Sequence, residues 1–263
     1  MSEPESLIPD GYVWDNTWAE ARQRLARLEE LYDPGTQRRL AGLGVKPGWS
    51  CLEVAGGGGS IADFLCRAVG PEGRVVTVDL DTRFLRELDI PNLEVIERDV
   101  VADGLPEGEF DLVHARALLM HLLEREELLA AFAAAVRPGG WLLVEEGDKF
   151  PLDALDKGAY GAAWQIINRV AAPAGLDTCW ARRLPERLCS LGLTDVDCQM
   201  DGSFFTGGSP GAQFIQMTLA HTLEKVPLPE GERRVLEDAI AELDDATRWF
   251  PSFVMVAAWG RRP

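Results

Sequence analysis

The sequence predicts an α/β fold in which a mostly parallel, doubly wound sheet is covered by helices on both faces. Between residues 49 and 150, short apolar runs of strand length alternate with segments of helical spacing and with Gly/Pro turns. The first of these strands runs directly into four consecutive glycines at residues 56–59, and a helical segment follows them. Such a turn exposes backbone N–H groups at a helix N-terminus, which is where folds of this class bind ligands.

The N-terminal part of the chain is predicted to be helical. Residues 17–20, Thr-Trp-Ala-Glu, have the spacing of a capping box and open a helix that extends to about Tyr32. The segment 33–36, Asp-Pro-Gly-Thr, is expected to end this helix before a short second one that reaches about Leu43.

The remaining elements follow from apolar periodicity and turn residues. In the alternating region, strands are predicted at 50–55, 74–79, 93–97, 110–114 and 141–146, and helices near 60–69, 82–88 and 123–136. Beyond residue 150 the rhythm changes, and the predicted elements are helices at 155–171, 183–191, 211–225 and 230–247 and strands at 194–200 and 253–259. The extra helices could form a roof over a pocket.

Composition excludes several functional classes. The chain has 263 residues and a net charge of −17, so most of its surface would repel a phosphate backbone, and nucleic acid is not expected as a partner. No apolar run approaches the length of a membrane span, and the N-terminus lacks the basic and apolar regions of a signal peptide. We therefore expect a cytoplasmic protein without a membrane partner, whose five cysteines are reduced.

The glycine turn is compatible with two kinds of nucleotide cofactor. Residues 57–62, Gly-Gly-Gly-Ser-Ile-Ala, satisfy the dinucleotide pattern G-x-G-x-x-G/A, and Asp79 lies at the distance expected for an acid that binds ribose. However, Glu53 precedes the glycines, where it is poorly suited to a pyrophosphate but could accept a hydrogen bond from an ammonium group or an N–H donor. Asp99 follows the third strand, where it could bind an adenine amino group. These acids favour a cofactor other than a nicotinamide dinucleotide.

Taken together, five motifs resemble those of the class I S-adenosylmethionine-dependent methyltransferases. Residues 53–59, Glu-Val-Ala-Gly-Gly-Gly-Gly, resemble the first motif of that family, E/D-x-G-x-G-x-G. The other similar segments are Asp79, the pair Asp99-Val100, residues 110–116, and the turn and strand at 137–144. The resemblance implies a Rossmann-like, seven-stranded sheet whose last strand is antiparallel, with a helical cap. It further implies one structural domain made of an N-terminal helical lid (1–48), a cofactor-binding core (49–150) and the rest of the sheet with inserted cap helices (151–263).

The resemblance implies S-adenosyl-L-methionine as cofactor and S-adenosyl-L-homocysteine as product. The residues expected to bind the cofactor lie in the lid, in the glycine turn and at the ends of the second to fourth strands: Tyr12, Arg24, Glu53, Ala55, Gly56, Gly57, Gly59, Asp79, Leu80, Asp99, Val100, His114 and Ala115. Ala55 stands where the motif has glycine. Its methyl group should be tolerable if its φ is negative, although it could press on the methionine moiety.

The candidate catalytic residues are His121, Glu146 and Arg116, which are expected at the carboxyl edge of the fourth and fifth strands. An oxygen or nitrogen nucleophile can need a general base, and His121 is the first choice, with a packing role as the alternative. No metal is expected, because His114-Ala115-Arg116-Ala117 stands where metal-dependent relatives carry an Asp-rich cluster and no His/Cys spacing suggests zinc or iron.

The predicted function is methyl transfer to a small, partly apolar molecule, with oxygen as the first choice of acceptor atom, then nitrogen, then carbon. Association of two subunits through the cap helices is an expectation by analogy. Two alternatives stay open. One is an enzyme of cyclase type, or a regulator, that binds the cofactor without transferring methyl. The other is a nicotinamide oxidoreductase, which offers no role for Glu53.

Overall fold

The computed structural model describes residues 19–153 and 158–263. Tyr12 and the first two residues of the predicted capping box lie outside these residues. The strands are β1 (Ser50–Val54), β2 (Arg74–Asp79), β3 (Leu93–Glu97), β4 (Phe110–Arg116), β5 (Val136–Asp148), β6 (Thr194–Asp201), β7 (Phe204–Thr206), β8 (Trp249–Pro251) and β9 (Val254–Arg261). The helices are α1 (Ala21–Gly42), α2 (Ser60–Val69), α3 (Arg125–Ala135), α4 (Phe150–Asp153), α5 (Ala159–Ala171), α6 (Leu184–Ser190), α7 (Pro210–Lys225) and α8 (Glu230–Glu242).

Seven strands form one sheet in the order β3-β2-β1-β4-β5-β9-β6. Neighbouring strands from β3 to β5 are parallel, and β9 is antiparallel to both β5 and β6. The order reverses between β1 and β4, so the loops after these two strands diverge and leave a crevice at their carboxyl ends. The predicted fold class, including the antiparallel last strand, is confirmed.

Alternating side chains of the sheet face two different helical layers. Leu52, Val113 and Leu142 belong to an apolar cluster that includes α3 and α6. Cys51 and Leu112 lie on the opposite face, in a cluster with α2 and the end of α1. A third cluster joins α5, α7 and α8 with the two-stranded β7–β8 ribbon and forms the roof beyond the carboxyl edge of the sheet. The roof therefore has an apolar core of its own.

Two helix predictions were wrong. The segment 33–36 does not end the first helix, because α1 runs through Pro34. Side chains of this segment bind groups at the sheet, which holds the helix in place despite the proline: Asp33 accepts from Arg116, and the Thr36 hydroxyl donates to Glu145. The helix predicted near 82–88 is only a short 3-10 turn, Leu85–Glu87.

The sequence also missed the ribbon of β7 and β8, whose strands are three residues long and too short to show a period. Of the helices in the described ranges, none is both long and apolar enough to cross a membrane.

Candidate functional site

A cavity of about 790 Å³ lies at the carboxyl ends of β1, β2 and β4. The glycine turn, the ends of these strands and α1 form one half of its wall. Side chains of the roof helices α5 and α7, together with Phe253 and Met255 around the start of β9, form the other half. The two halves differ in chemistry, so each is described in turn.

The glycine turn is built for close approach of the backbone. A Cβ on Gly56 would lie 2.2 Å from the Thr77 hydroxyl, and one on Gly58 would lie 2.1 Å from a carboxylate oxygen of Glu29. Gly57 and Gly59 have φ of 55° and 91°, values that side chains disfavour. Gly59 lies outside the cavity lining and caps α2, whereas Gly56, Gly57 and Gly58 line the cavity.

Ala55 lines the cavity with a backbone conformation that alanine rarely adopts. Its φ is +59°, so the condition under which its methyl group would be tolerable is not met. Ala117, at the end of β4 and on the same cavity wall, has φ of +53°. Each left-handed alanine costs roughly 1–2 kcal/mol. Two strained residues at the ends of adjacent strands mark this wall as a functional surface.

Two aspartates at the ends of β2 and β3 also line the cavity. Asp79 accepts hydrogen bonds from the backbone N–H of Gly57 at 2.9 Å and of Asp81 at 3.1 Å. Burial raises the pKa of Asp79, and these N–H donors oppose the rise. Asp99 accepts from the N–H of Val101 at 2.9 Å, which holds the turn after β3. The predicted binding residues Leu80 and Val100 lie beside these acids in the cavity wall.

A chain of buried polar side chains lies behind the glycine turn, on the sheet face that carries α1. Glu53 accepts from His114 Nδ1 at 2.6 Å, and His114 Nε2 lies 3.1 Å from Glu145. Glu145 also accepts from the Thr36 hydroxyl and Arg39 Nε, both at 2.5 Å. We call Glu53, His114 and Glu145 the carboxylate–imidazole cluster. Only Glu53 of the three reaches the cavity.

Charges in this cluster alternate in sign. Burial lowers the pKa of His114, but the adjacent Glu53 and Glu145 carboxylates outweigh it and raise the pKa to about 9. Burial likewise acts to raise the pKa of Glu145, but its hydrogen bond and charge interaction with His114, together with Arg39, lower it to about 2. At neutral pH His114 is therefore an imidazolium, and Glu145 beside it is a carboxylate.

His114 and Ala115 were predicted to contact the cofactor, and the structure places both away from the cavity wall. His114 has no exposed surface, and its two ring nitrogens face the two carboxylates. Ala115 packs in the apolar cluster on the other face of the sheet. The strand ends at Arg116, two residues later than predicted, and Arg116 and Ala117 line the cavity instead.

Two arginines contribute to the cavity wall. Arg116 donates to the Thr36 hydroxyl at 3.0 Å and to Asp33 at 2.8 Å, so its guanidinium links β4 to α1. Arg24 lies over the ring of Phe214 at 5.1 Å, and its Nε donates to the Thr218 hydroxyl at 3.1 Å. Arg24 thereby joins the lid helix to the roof.

The catalytic candidates His121 and Glu146 have different surroundings. His121 lines the cavity, and burial together with the charges of Arg24 and Arg125 lowers its pKa to about 3. Its imidazole is thus neutral at physiological pH. Glu146 lies outside the cavity lining, and its carboxylate accepts from the N–H groups of Leu118, Leu119 and Met120 at 3.2, 2.7 and 3.2 Å.

The contacts of Glu146 argue against its predicted catalytic role. Its oxygens are engaged by the turn that carries His121, so its role is to hold that turn against β5. Burial raises its pKa to about 7, and the three N–H donors oppose the rise.

Three cavity residues of α1 and the aromatic residue Phe253 were not predicted from the sequence. Leu25, Leu28 and Glu29 of α1 line the cavity, and their helical spacing was the available signal. From the roof, Trp164 and Phe253 line it and contact each other edge to face with ring centroids 4.6 Å apart. Within residues 19–153 and 158–263, no group of three His, Cys, Asp or Glu side chains is arranged to hold a metal ion.

Comparison with known proteins agrees with this architecture. A family model described as a methyltransferase domain matches residues 15–190. The ubiquinone/menaquinone biosynthesis C-methyltransferase of Salmonella paratyphi B is 28% identical over 153 residues, which cover 55% of this chain and 61% of that enzyme. The chain thus spans about three fifths of the length of the curated relatives it matches.

Solved structures share the fold over nearly the whole chain. A cyclopropane-fatty-acyl-phospholipid synthase-like protein from Lactobacillus casei has a TM-score of 0.62 at 18% identity, with 95% of this chain and 97% of that one covered. The (4+2)-cyclase SpnF has a TM-score of 0.53 at 16% identity, with 89% and 83% covered.

Proposed function

The chain belongs to the methyltransferase-domain family of class I S-adenosylmethionine-dependent enzymes, and on that premise we propose that it transfers a methyl group from S-adenosylmethionine to a small, partly apolar molecule. The observation that supports this most is the division of one cavity into two halves. A polar half holds the glycine turn, Glu53 and Asp79, and an apolar half is lined by Trp164 and Phe253. One half would hold the cofactor and the other the methyl acceptor.

The polar half fits the cofactor in shape and in donor chemistry. Gly56, Gly57 and Gly58 line the cavity without side chains, so the backbone of the turn can approach a bound ligand closely. Among the described residues, one buried oxygen of Glu29 has no hydrogen-bond partner, and it faces this turn. Glu53 and Glu29 would meet the ammonium group, Asp79 the ribose hydroxyls and Asp99 the adenine amino group.

When bound, the cofactor supplies an electrophilic methyl group on a sulfonium. The contribution of the chain is to align the acceptor with that methyl group and to exclude water, and alignment alone can supply on the order of 7–11 kcal/mol. The apolar walls at Trp164, Phe214 and Phe253 would hold the body of the acceptor.

We propose oxygen as the acceptor atom and His121 as the group that orients its hydroxyl. His121 lines the cavity on the turn after β4, and burial with the charges of Arg24 and Arg125 lowers its pKa. Its neutral, weakly basic imidazole would accept a hydrogen bond from the hydroxyl, whose proton passes to solvent as the methyl group is transferred. The Salmonella relative carries the name of a C-methyltransferase, so carbon is the competing acceptor. Arg116, bound to Asp33 and Thr36, would hold the wall next to the reacting groups.

The test is methyl transfer from isotopically labelled S-adenosylmethionine to a panel of phenols, hydroxyquinols and aromatic amines. We expect label in a small-molecule product, with the methyl carbon on oxygen as located by NMR, and loss of most activity in His121→Ala. Label on a ring carbon would contradict the oxygen assignment alone. If the protein binds S-adenosylhomocysteine but transfers label to no acceptor, methyl transfer as its function would be contradicted.

That last outcome would favour the second candidate, a cofactor-binding enzyme of cyclase type or a regulator. The observation behind it is Ala55, which stands in the left-handed region where the related motif has glycine. Its methyl group occupies space next to the expected position of the methionine moiety. A cytoplasmic location, the absence of nucleic-acid partners and pairing of subunits through the roof helices stay predictions.

A further inference from the structure

We propose that His114 is a positioning residue that acts on the amino-acid half of the cofactor through Glu53, without touching the cofactor itself. The proposal rests on the proposed function, because it assigns Glu53 the ammonium group. It assigns a specific role to a buried histidine for which the sequence offered only packing or direct cofactor contact.

The geometry makes His114 the direct support of Glu53. One oxygen of Glu53 accepts from His114 Nδ1 at 2.6 Å, and Glu53 is the member of the carboxylate–imidazole cluster that lines the cavity. In the parallel register of β1 and β4, Glu53 lies directly opposite His114. The pairing of the two strands therefore places the imidazole beside the carboxylate before any ligand arrives.

The far side of the imidazole is held as firmly as the near side. Glu145 lies 3.1 Å from His114 Nε2, and it is itself bound by Thr36 and Arg39 of α1. Arg39 also contacts Asp201 on β6. The support behind Glu53 thus extends through three further strands and the lid helix, so the ring of His114 cannot turn without breaking several contacts.

The charge of His114 links this support to ligand binding at Glu53. Glu53 is only 3% exposed, and a carboxylate buried to that extent needs a partner of opposite charge. The imidazolium of His114 is that partner, and its raised pKa keeps it charged at neutral pH. Along the series Glu53, His114, Glu145, Arg39 and Asp201 the charges alternate, and Arg38 pairs with Asp201 at the far end. An ammonium group at Glu53 would continue the alternation at the cavity end.

The experiment compares two ligands that differ only in the amino-acid half. S-adenosylhomocysteine carries the ammonium and carboxylate groups, whereas methylthioadenosine retains the adenosine and the sulfur. Calorimetric titration of wild type, His114→Leu and His114→Gln measures both affinities. We expect at least roughly tenfold weaker binding of S-adenosylhomocysteine by His114→Leu, a smaller loss with His114→Gln, which keeps one N–H donor, and methylthioadenosine affinity within about twofold of wild type.

Glu53→Gln and the double variant with His114→Gln show whether the effect passes through Glu53. We expect Glu53→Gln to weaken the binding of S-adenosylhomocysteine but not that of methylthioadenosine. Adding His114→Gln should weaken S-adenosylhomocysteine binding little further, because both substitutions remove the same interaction. The matched control is His221→Gln, which replaces a buried histidine of α7 outside the cavity lining and should leave both affinities within about twofold.

Equal weakening of both ligands by the His114 variants would overturn the proposal, since it would show a general structural role. Unchanged affinities, or full additivity with Glu53→Gln, would overturn it as well. If wild type binds neither ligand, the proposed function fails and this inference fails with it. Selective loss in His114→Gln supports the proposal even if His114→Leu does not fold.

Discussion

The two halves of the cavity are built in different ways. The polar half is formed by turns that follow β1, β2 and β3, and its side chains are acids held by backbone N–H groups, as for Asp79 and Asp99. The apolar half is formed by the roof helices α5 and α7 and by the start of β9, and its side chains, such as Trp164 and Phe214, belong to a separate hydrophobic core.

The way each half is built indicates which ligand it selects. Strand register fixes the polar half, because the acids lie at the ends of paired strands and cannot move independently. The roof packs through its own apolar contacts, so different side chains there could alter the shape of the cavity without altering the register of the sheet. We infer that the polar half determines the cofactor and the roof determines the acceptor.

The largest expected effect lies at the boundary between the halves. Glu146→Ala leaves the N–H groups of Leu118, Leu119 and Met120 without their acceptor. Each unpaired buried donor costs about 1–3 kcal/mol, so we expect the free energy of unfolding to fall by at least about 3 kcal/mol, measured by urea denaturation. Glu146→Gln keeps one carbonyl acceptor and should lose less. Equal losses in the two variants would show that the hydrogen bonds are not the cause.

The carboxylate–imidazole cluster predicts a pH dependence of stability. The pKa of folded His114 is raised to about 9 from an ordinary 6.5. The stabilisation is therefore fully present below pH 6.5 and is lost as pH rises through 9. At about 1.36 kcal/mol per pH unit it is on the order of 3 kcal/mol.

Urea denaturation of wild type and His114→Gln at roughly pH 6 and 9.5 measures this contribution, with the difference between the proteins isolating the histidine from other titrating groups. We expect the stability gap to shrink as pH rises. A gap that stays constant or widens would show that His114 is neutral in the folded protein.

If the polar half binds the cofactor and the apolar half binds the acceptor, variants in the two halves should change different quantities. Asp79→Ala removes the expected acceptor for the ribose hydroxyls, and loss of a hydrogen bond to a charged group costs about 1.5–3 kcal/mol, so affinity for S-adenosylhomocysteine should fall roughly 10- to 100-fold. Phe214→Leu should leave that affinity within about threefold and raise the KM of the acceptor roughly tenfold. Calorimetry and steady-state kinetics measure the two effects, and a strong loss of cofactor affinity in Phe214→Leu would contradict the division.

The smallest expected effect concerns backbone strain in the polar half. Ala55→Gly and Ala117→Gly remove side chains from positions with φ of +59° and +53°. Each should raise the free energy of unfolding by up to about 1 kcal/mol, measured by urea denaturation. The matched control is Ala62→Gly inside α2, which should lower it by about 1 kcal/mol. A lower free energy of unfolding in Ala55→Gly would contradict the claim that the backbone at Ala55 is strained.

The sequence predicted the sheet more completely than the roof. The bounds of β2, β3 and α2 agree with the prediction because each has a clear apolar period and is bounded by glycine, proline or an acid. The helix through Pro34 was missed because tertiary contacts of Thr36 and Arg39 outweigh the local turn signal.

The residues of the candidate site also differ in how far the sequence alone could locate them. Asp79 and Asp99 could be located because a carboxyl-terminal strand position puts a residue in the crevice whatever its contacts. The pairing of Glu53 with His114 could not be located, because it depends on the register between strands 61 residues apart in sequence. Trp164 and Phe214 of the roof could not be assigned to a pocket wall or to ordinary core, since apolar pocket walls and apolar cores have the same pattern.

The most direct test of the two-half cavity is a crystal structure of the protein with S-adenosylhomocysteine. The account predicts the ammonium group within hydrogen-bond distance of Glu53, the ribose hydroxyls on Asp79, the adenine beside Asp99, and an open space between the sulfur and Phe214. Ligand density among the roof aromatics, or an amino-acid half that points away from Glu53, would contradict it.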